Sequence, residues 1–228
     1  MIPLRDSIRS RTFPLVNLTI IILNLVIYVW EVMLGPQQLN QVFYVFGLVP
    51  ARAYDIFISG ASITPVLVNL FTSMFIHGGW IHVIGNMLFL WVFGDNIEDR
   101  LGHFKYLLFY LAAGVAGGVA HILSNPASTI PVVGASGAIA GVLGAYALVF
   151  PRSRILTLLP IFIIFTLVEI PALIFIALWF VIQIFNGVAS LGGSVNTVAY
   201  WAHVGGFIAG AVLIKTMTPR MVRGYYRT

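Results

Sequence analysis

Phe13 to Leu34 reads FPLVNLTIIILNLVIYVWEVML, an unbroken apolar run whose single charge, Glu31, stands near its far end. A helix needs about 20 apolar residues to cross roughly 30 Å of hydrocarbon, so this run predicts a first membrane span. Working outward, further apolar stretches follow from His82 to Gly94, Phe104 to Leu123, Ser136 to Phe150, Pro171 to Ala189 and Tyr200 to Met217. The pattern predicts an all-α polytopic membrane protein of six spans. Composition agrees: of 228 residues, 60% are hydrophobic and 8% charged. A soluble domain carries about 25% charge because its surface faces water, so lipid must solvate much of this one. The length suits one membrane domain over 13–217, between an N-terminal segment 1–12 and a basic tail 218–228. The absence of cysteine excludes disulfides, a thiol nucleophile and cysteine-ligated metal.

Charge placement orients the spans. With six crossings, Arg5, Arg9, Arg11, Arg100, Lys105, Arg152, Arg154, Lys215, Arg220, Arg223 and Arg227 share one side, and only Arg52 falls on the other. The segments 124–135 and 190–199 carry no charge. Basic residues mark the cytoplasmic side, so both termini are expected there. The net charge of +5 therefore reads as topology and not as a nucleic-acid surface. No small-residue cleavage site follows the first run, which reads as a span and not a removed signal. Gly35 to Ile76 is expected as a long external loop with interfacial aromatics. Ile155 to Val168, short and interrupted by Pro160, is expected as a re-entrant or interfacial segment.

Polar groups in hydrocarbon are costly, which makes His82, Asn86, Ser136 and His203 functional candidates. At 1.5 Å per residue, Ser136 lies about 22 Å above the cytoplasmic end of its span, His203 about as far above Thr218, and His82 about 20 Å above Asp95. Three helices thus deliver a hydroxyl, an imidazole and a His/Asn pair to one level below the outer surface. His82 and Asn86, four apart, share a helix face. Gly137 and Gly141 in the fourth span, with Gly206 and Gly210 in the sixth, form small-xxx-small faces on which backbones approach closely. Ser136 and His203 stand at the outer ends of these faces. A serine activated by a neighbouring imidazole is a nucleophile for acyl transfer. An oxyanion would meet the Ser136 backbone N–H, His82 and Asn86. Asp95, Glu98 and Asp99 lie on the cytoplasmic side, so a Ser136–His203 dyad is expected, with no acid to complete a triad.

These residues stand in recognisable strings. His77-Gly-Gly-Trp-Ile-His82-Val-Ile-Gly-Asn86, then Gly94-Asp-Asn-Ile-Glu98-Asp-Arg100-Leu-Gly102, resembles the second span and following loop of rhomboid intramembrane serine proteases. Gly134-Ala-Ser136-Gly137 resembles their nucleophile motif, and Ala202-His203-Val-Gly-Gly206 with Gly210 their general-base helix. The similarity runs in order from about Pro14 to Met217. It implies a six-helix rhomboid-like bundle of the bacterial type, in an inner membrane, that cleaves transmembrane protein substrates in or beside their spans on the outer side. It also implies a water-filled cavity, no cofactor or metal, and gating by the fifth span and the loop before the sixth. Some relatives place a tyrosine four residues after the serine, stacked on the base; Ala140 stands here.

Blander readings compete at each position. A serine opening a helix is commonly an N-cap, and an intramembrane histidine commonly a packing hydrogen-bond partner. His77 reads as a loop-ordering residue turned away from His82, and His121 as interfacial. Asn17 and Asn24 read as hydrogen-bond partners of neighbouring helices. A catalytically silent rhomboid-like protein that binds membrane clients is the main alternative function. A transporter would place acids across the bundle depth, and a zinc site would need His77, His82 and His203 together.

Overall fold

The computed structural model describes residues 1–161, 164–191 and 198–218. The basic tail expected over 218–228 lies outside the described residues beyond Thr218, as does most of the uncharged loop expected before the last helix. Among the described residues, six helices have 14 residues or more: α1 (Leu15–Val32), α5 (Trp80–Leu101), α6 (His103–Ser124), α7 (Ser136–Val149), α8 (Ala172–Ser190) and α9 (Tyr200–Met217). Three of them, α1, α6 and α8, are long and apolar enough to cross a membrane unaided. The expected loop 35–76 is not irregular. It folds into α2 (Pro36–Phe46), α3 (Pro50–Ser59) and α4 (Thr64–Thr72), and α4 with the short turn Ser73–Phe75 meets α5 at an 86° bend. Pro36, Pro50 and Pro65 each open one of these helices, where the missing N–H costs nothing.

The exterior is apolar, as lipid solvation demands, and several polar groups are buried within an otherwise apolar core. Asn17, Asn24, Glu31, Asn86, Asn96, Glu98, Gln183 and His203 are buried, while Val26, Ile81, Trp91 and Phe185 are exposed. The buried polar groups are spent on joining helices. Asn17 donates to the Leu90 carbonyl (3.1 Å) and accepts from the Tyr106 hydroxyl (2.7 Å), tying α1 to α5 and α6. Asn24 instead donates to Ile20 of its own helix (2.8 Å). The Glu98 carboxylate accepts the Val16 and Asn17 amides at 2.9 and 2.7 Å and meets the His103 ring at 2.5 Å. A carboxylate at a helix start satisfies amides that have no partner within the helix and complements its dipole.

Helix α7 is the centre of the bundle. At 14 residues it covers about 21 Å, less than the hydrocarbon thickness, and Gly137 through Ala147 are all buried. Protein and not lipid therefore surrounds it. Glycines set its distance from α9: a methyl group at Gly206 would overlap the Gly137 carbonyl, and one at Gly210 the Gly141 carbonyl. Helix α6 joins the same contact, with Gly117 against the Ala202 carbonyl and Gly205 against Ala120. The expected close packing of the Gly137/Gly141 and Gly206/Gly210 faces is present, and α6 adds a third small-residue face.

One element departs from the all-α expectation. The segment expected as re-entrant or interfacial, Ile155 to Val168, is not helical: β2 (Arg154–Ile161) and β3 (Ile164–Pro171) run antiparallel, and β1 (Ile2–Asp6) pairs with β2 to give the sheet order β1-β2-β3. The reason is residue chemistry. Positions 164, 166, 168 and 170 are all β-branched, and on β2 the period-two pair Ile155 and Thr157 is fully buried. Pro160 lacks an N–H but lies past the stretch that pairs with β1. The outer edge of β3 and the exposed Arg154–Glu169 pair (3.9 Å) belong in a wet boundary layer, because hydrocarbon leaves a sheet edge unsatisfied.

Asp6 anchors β1, its carboxylate accepting from Asn96 Nδ2 (2.8 Å) and the Tyr146 hydroxyl. Burial, aided by Asp95, pushes its pKa up to about 6. An acid whose folded pKa is raised contributes stability that is present below its unfolded value, near 4, and lost as pH rises through about 6. Hydrogen-exchange protection of residues 2–6, corrected for intrinsic rates, is expected to fall between about pH 4 and 6 in wild type and to stay level in Asp6→Asn. Gly206→Ala is expected to cost about 1–3 kcal/mol by overpacking, read as a lower unfolding midpoint in detergent.

Candidate active site

Helix α7 begins at Ser136, so its first amides are unspent within the helix and point towards whatever lies before it. Because α7 is short, that start is sunk below the ends of its neighbours. Ser136 Oγ lies 2.7 Å from His203 Nε2, on the fourth residue of α9. The far ring nitrogen, Nδ1, is 2.8 Å from Gln183 Oε1 on α8. His82 and Asn86 stand on the first two turns of α5. All four candidates line one cavity of about 760 Å³, whose other walls include Trp80, Ile81, Ile130, Val132 and Val198.

The donors around Ser136 are aimed by their other hydrogen bonds. Gly78 N–H donates to His82 Nδ1 at 3.4 Å, which leaves the His82 proton on Nε2. That Nε2 faces Gly134, two residues before Ser136. Gly134 has φ 120, and any side chain there would collide with the His82 ring, so only glycine lets the chain pass. Its own N–H is held by the Ser73 carbonyl at 2.8 Å. Asn86 Nδ2 gives one hydrogen to His77 Nε2 (3.0 Å), and the amide has a second.

His77 is closer to the site than its spacing implied. The argument that residues five apart diverge holds only inside a helix, and the 86° bend places His77 before α5 begins. Its ring stands edge-on to His82 with centroids 5.1 Å apart. The His77 N–H meets both oxygens of the buried Glu31 at 3.3 and 3.2 Å, so the end of α1 holds the residue that holds Asn86.

Two residues near the site were not among the sequence candidates: His121, which read as interfacial, and Gln183. His121 is buried on α6 and lines the same cavity; its Nδ1 is without a hydrogen-bond partner among the described residues. At 1.5 Å per residue it lies about 26 Å above Phe104, a few ångströms further out than Ser136, His82 and His203. Gln183 carries the same signal as Asn86, a polar group within an apolar run, and stands about 18 Å above Pro171 by the same rise per residue. Trp179 and Tyr200 also flank the His203 ring, at centroid distances of 5.8 and 6.4 Å, where Ala140 offers no aromatic face. Among the described residues no group of three His, Asp or Glu side chains converges as metal ligands.

A hydroxyl paired to an imidazole, beside several directed N–H donors, thus lies inside a helical bundle with an apolar exterior. The Rhomboid domain family model matches residues 65–220, and the chain belongs to the rhomboid family. It is similar to Rhomboid protease GluP of Bacillus subtilis, 34% identical over 142 residues, which is 62% of this chain and 24% of the relative. Rhomboid-like protein 11, chloroplastic, of Arabidopsis thaliana is 30% identical over 158 residues, 66% of this chain and 52% of the relative. Putative rhomboid protease YdcA of Bacillus subtilis is 33% identical over 78 residues, 34% of this chain and 39% of the relative. The chain spans about a quarter to about half the length of these curated relatives. Family and apolar helices together make it an integral membrane protein.

Glu31→Ala strips the buried His77 amide of its acceptor and is expected to cost about 1–3 kcal/mol, the penalty of an unsatisfied buried donor. The unfolding midpoint in detergent micelles measures it; a midpoint equal to wild type would mean that the amide finds water instead.

Proposed function

We propose that the protein is an intramembrane serine endopeptidase that hydrolyses peptide bonds in or next to transmembrane segments of membrane-protein substrates. The observation that carries this reading is the 2.7 Å separation of Ser136 Oγ and His203 Nε2 inside a cavity that also presents His82 and Asn86. The relatives named as proteases support it. In this scheme the Ser136 hydroxyl attacks the scissile carbonyl while its proton passes to His203 Nε2. The tetrahedral oxygen is met by the Ser136 N–H at the start of α7, by His82 Nε2–H and by the second Asn86 Nδ2 hydrogen. His203 then hands its proton to the leaving amine, and water admitted by the cavity releases the acyl group by the reverse sequence. Side chains and water supply every step.

The reading includes six crossings, formed by α1, α5, α6, α7, α8 and α9. Both termini lie on the cytoplasmic side of a bacterial inner membrane, and the cavity opens on the other. The one-sided distribution of basic residues supports this topology.

Cleavage of a single-span substrate in proteoliposomes tests the assignment. Ser136→Ala is expected to abolish turnover and labelling by a fluorophosphonate. His203→Ala should lower the rate about 10²–10⁴-fold, and Asn86→Ala about 10²–10³-fold as the loss of one oxyanion donor. Cleavage retained in Ser136→Ala, or a probe attached to another residue, would overturn the mechanism. A wild-type protein that binds single-span clients without cutting or labelling would favour the client-binding alternative.

A further inference from the structure

The geometry points to Gln183 as the residue that fixes the tautomer and orientation of His203, extending the proposed Ser136–His203 pair to a neutral Ser-His-Gln relay. Three links in series argue it. A backbone carbonyl only accepts, and the Trp179 carbonyl takes Gln183 Nε2 at 3.1 Å, one helical turn back on α8. That bond assigns the amide: its NH₂ end faces Trp179, and its oxygen faces α9. An amide oxygen also only accepts, so the His203 nitrogen 2.8 Å from Gln183 Oε1 must carry the ring proton. With the proton on Nδ1, Nε2 holds the free lone pair, and Nε2 is the atom 2.7 Å from Ser136 Oγ. Flipping the amide would set two carbonyl oxygens against each other at Trp179, so the backbone of α8 dictates which face of the imidazole is basic.

Burial strengthens each link. Gln183 is 7% exposed and His203 8%, so water competes weakly for either group. The Trp179 ring lies beside the imidazole, tilted by 36° with centroids 5.8 Å apart. No carboxylate is needed: a neutral amide orients the ring without placing a second charge in an apolar bundle, where an ion would be costly. Gln183 touches neither substrate nor the reacting carbonyl in this scheme, so it is a positioning residue and acts through His203.

The catalytic consequence rests on the proposed protease reading, whereas the tautomer does not, and the experiment separates them. Protein labelled with ¹⁵N-histidine is compared as wild type, Gln183→Met and Gln183→Glu, with a His203→Ala sample to assign the ring signals. Wild type is expected to show a protonated Nδ1 and an unprotonated Nε2 at neutral pH. Gln183→Met, of similar length but with no acceptor for Nδ1–H, is expected to lose that preference. Its kcat on a single-span substrate should fall roughly ten- to a hundred-fold, the worth of one buried hydrogen bond to the base, with KM within about twofold. Gln183→Glu keeps an acceptor oxygen opposite Nδ1 and is expected to retain the wild-type tautomer, with kcat within about fivefold. Should the Met variant fail to fold, the wild-type and Glu spectra still decide. A wild-type ring protonated on Nε2, or a Met variant with unchanged ring signals and kcat, overturns the role of Gln183. A wild type with the expected tautomer but no cleavage and no fluorophosphonate labelling leaves Gln183 in place and removes the protease reading.

Discussion

The approach of α7 to α9 is the constraint on which the rest of this structure depends. Gly206 faces the Gly137 carbonyl and Gly210 the Gly141 carbonyl so closely that neither position has room for a methyl group. In lipid, where apolar surface gains nothing by leaving its solvent, such backbone contact is a main source of helix association. It also sets the functional geometry. Ser136 and His203 sit one position and three positions before the first glycine of each face, so the distance between the helix axes becomes the distance between hydroxyl and imidazole. Larger residues on these faces would keep both side chains and lose their meeting.

Around that contact the molecule builds its site from neutral, directional groups. His82 is aimed by a backbone amide, Asn86 by His77, and His77 by Glu31 at the end of α1. His203 is bracketed by Ser136 on one nitrogen and Gln183 on the other. His82, Asn86 and His203 each have a second partner behind them: the Gly78 amide, His77 and Gln183. Hydrogen bonds gain strength in a medium of low dielectric, and unpaired polar groups there are expensive, so orientation and stability are served by the same bonds.

The opposite end of the bundle has a different physics. There β1, β2 and β3 carry an open edge and an exposed Arg154–Glu169 pair, which places them in a hydrated layer. The sheet ties the N-terminal residues to the segment leading directly into α8, the helix that bears Gln183. A chain segment that is remote in sequence thus shares a rigid element with the support of His203.

Composition and spacing were enough to read a membrane bundle, to single out Ser136, His82, Asn86 and His203, and to find the glycine faces that join α7 to α9. Those properties depend on local rise per residue and on the cost of polar groups in lipid, both of which act along a single helix. The β-branched alternation over 164–170 was also present in the sequence, but an apolar run that short does not distinguish strand from helix until a partner strand pairs with it. His77 turned towards His82 because of a bend between α4 and α5, and Gln183 met His203 because of the rotation of α8 against α9. Rotation and bending are set by contacts between segments far apart in the chain, and so only the folded bundle decided them.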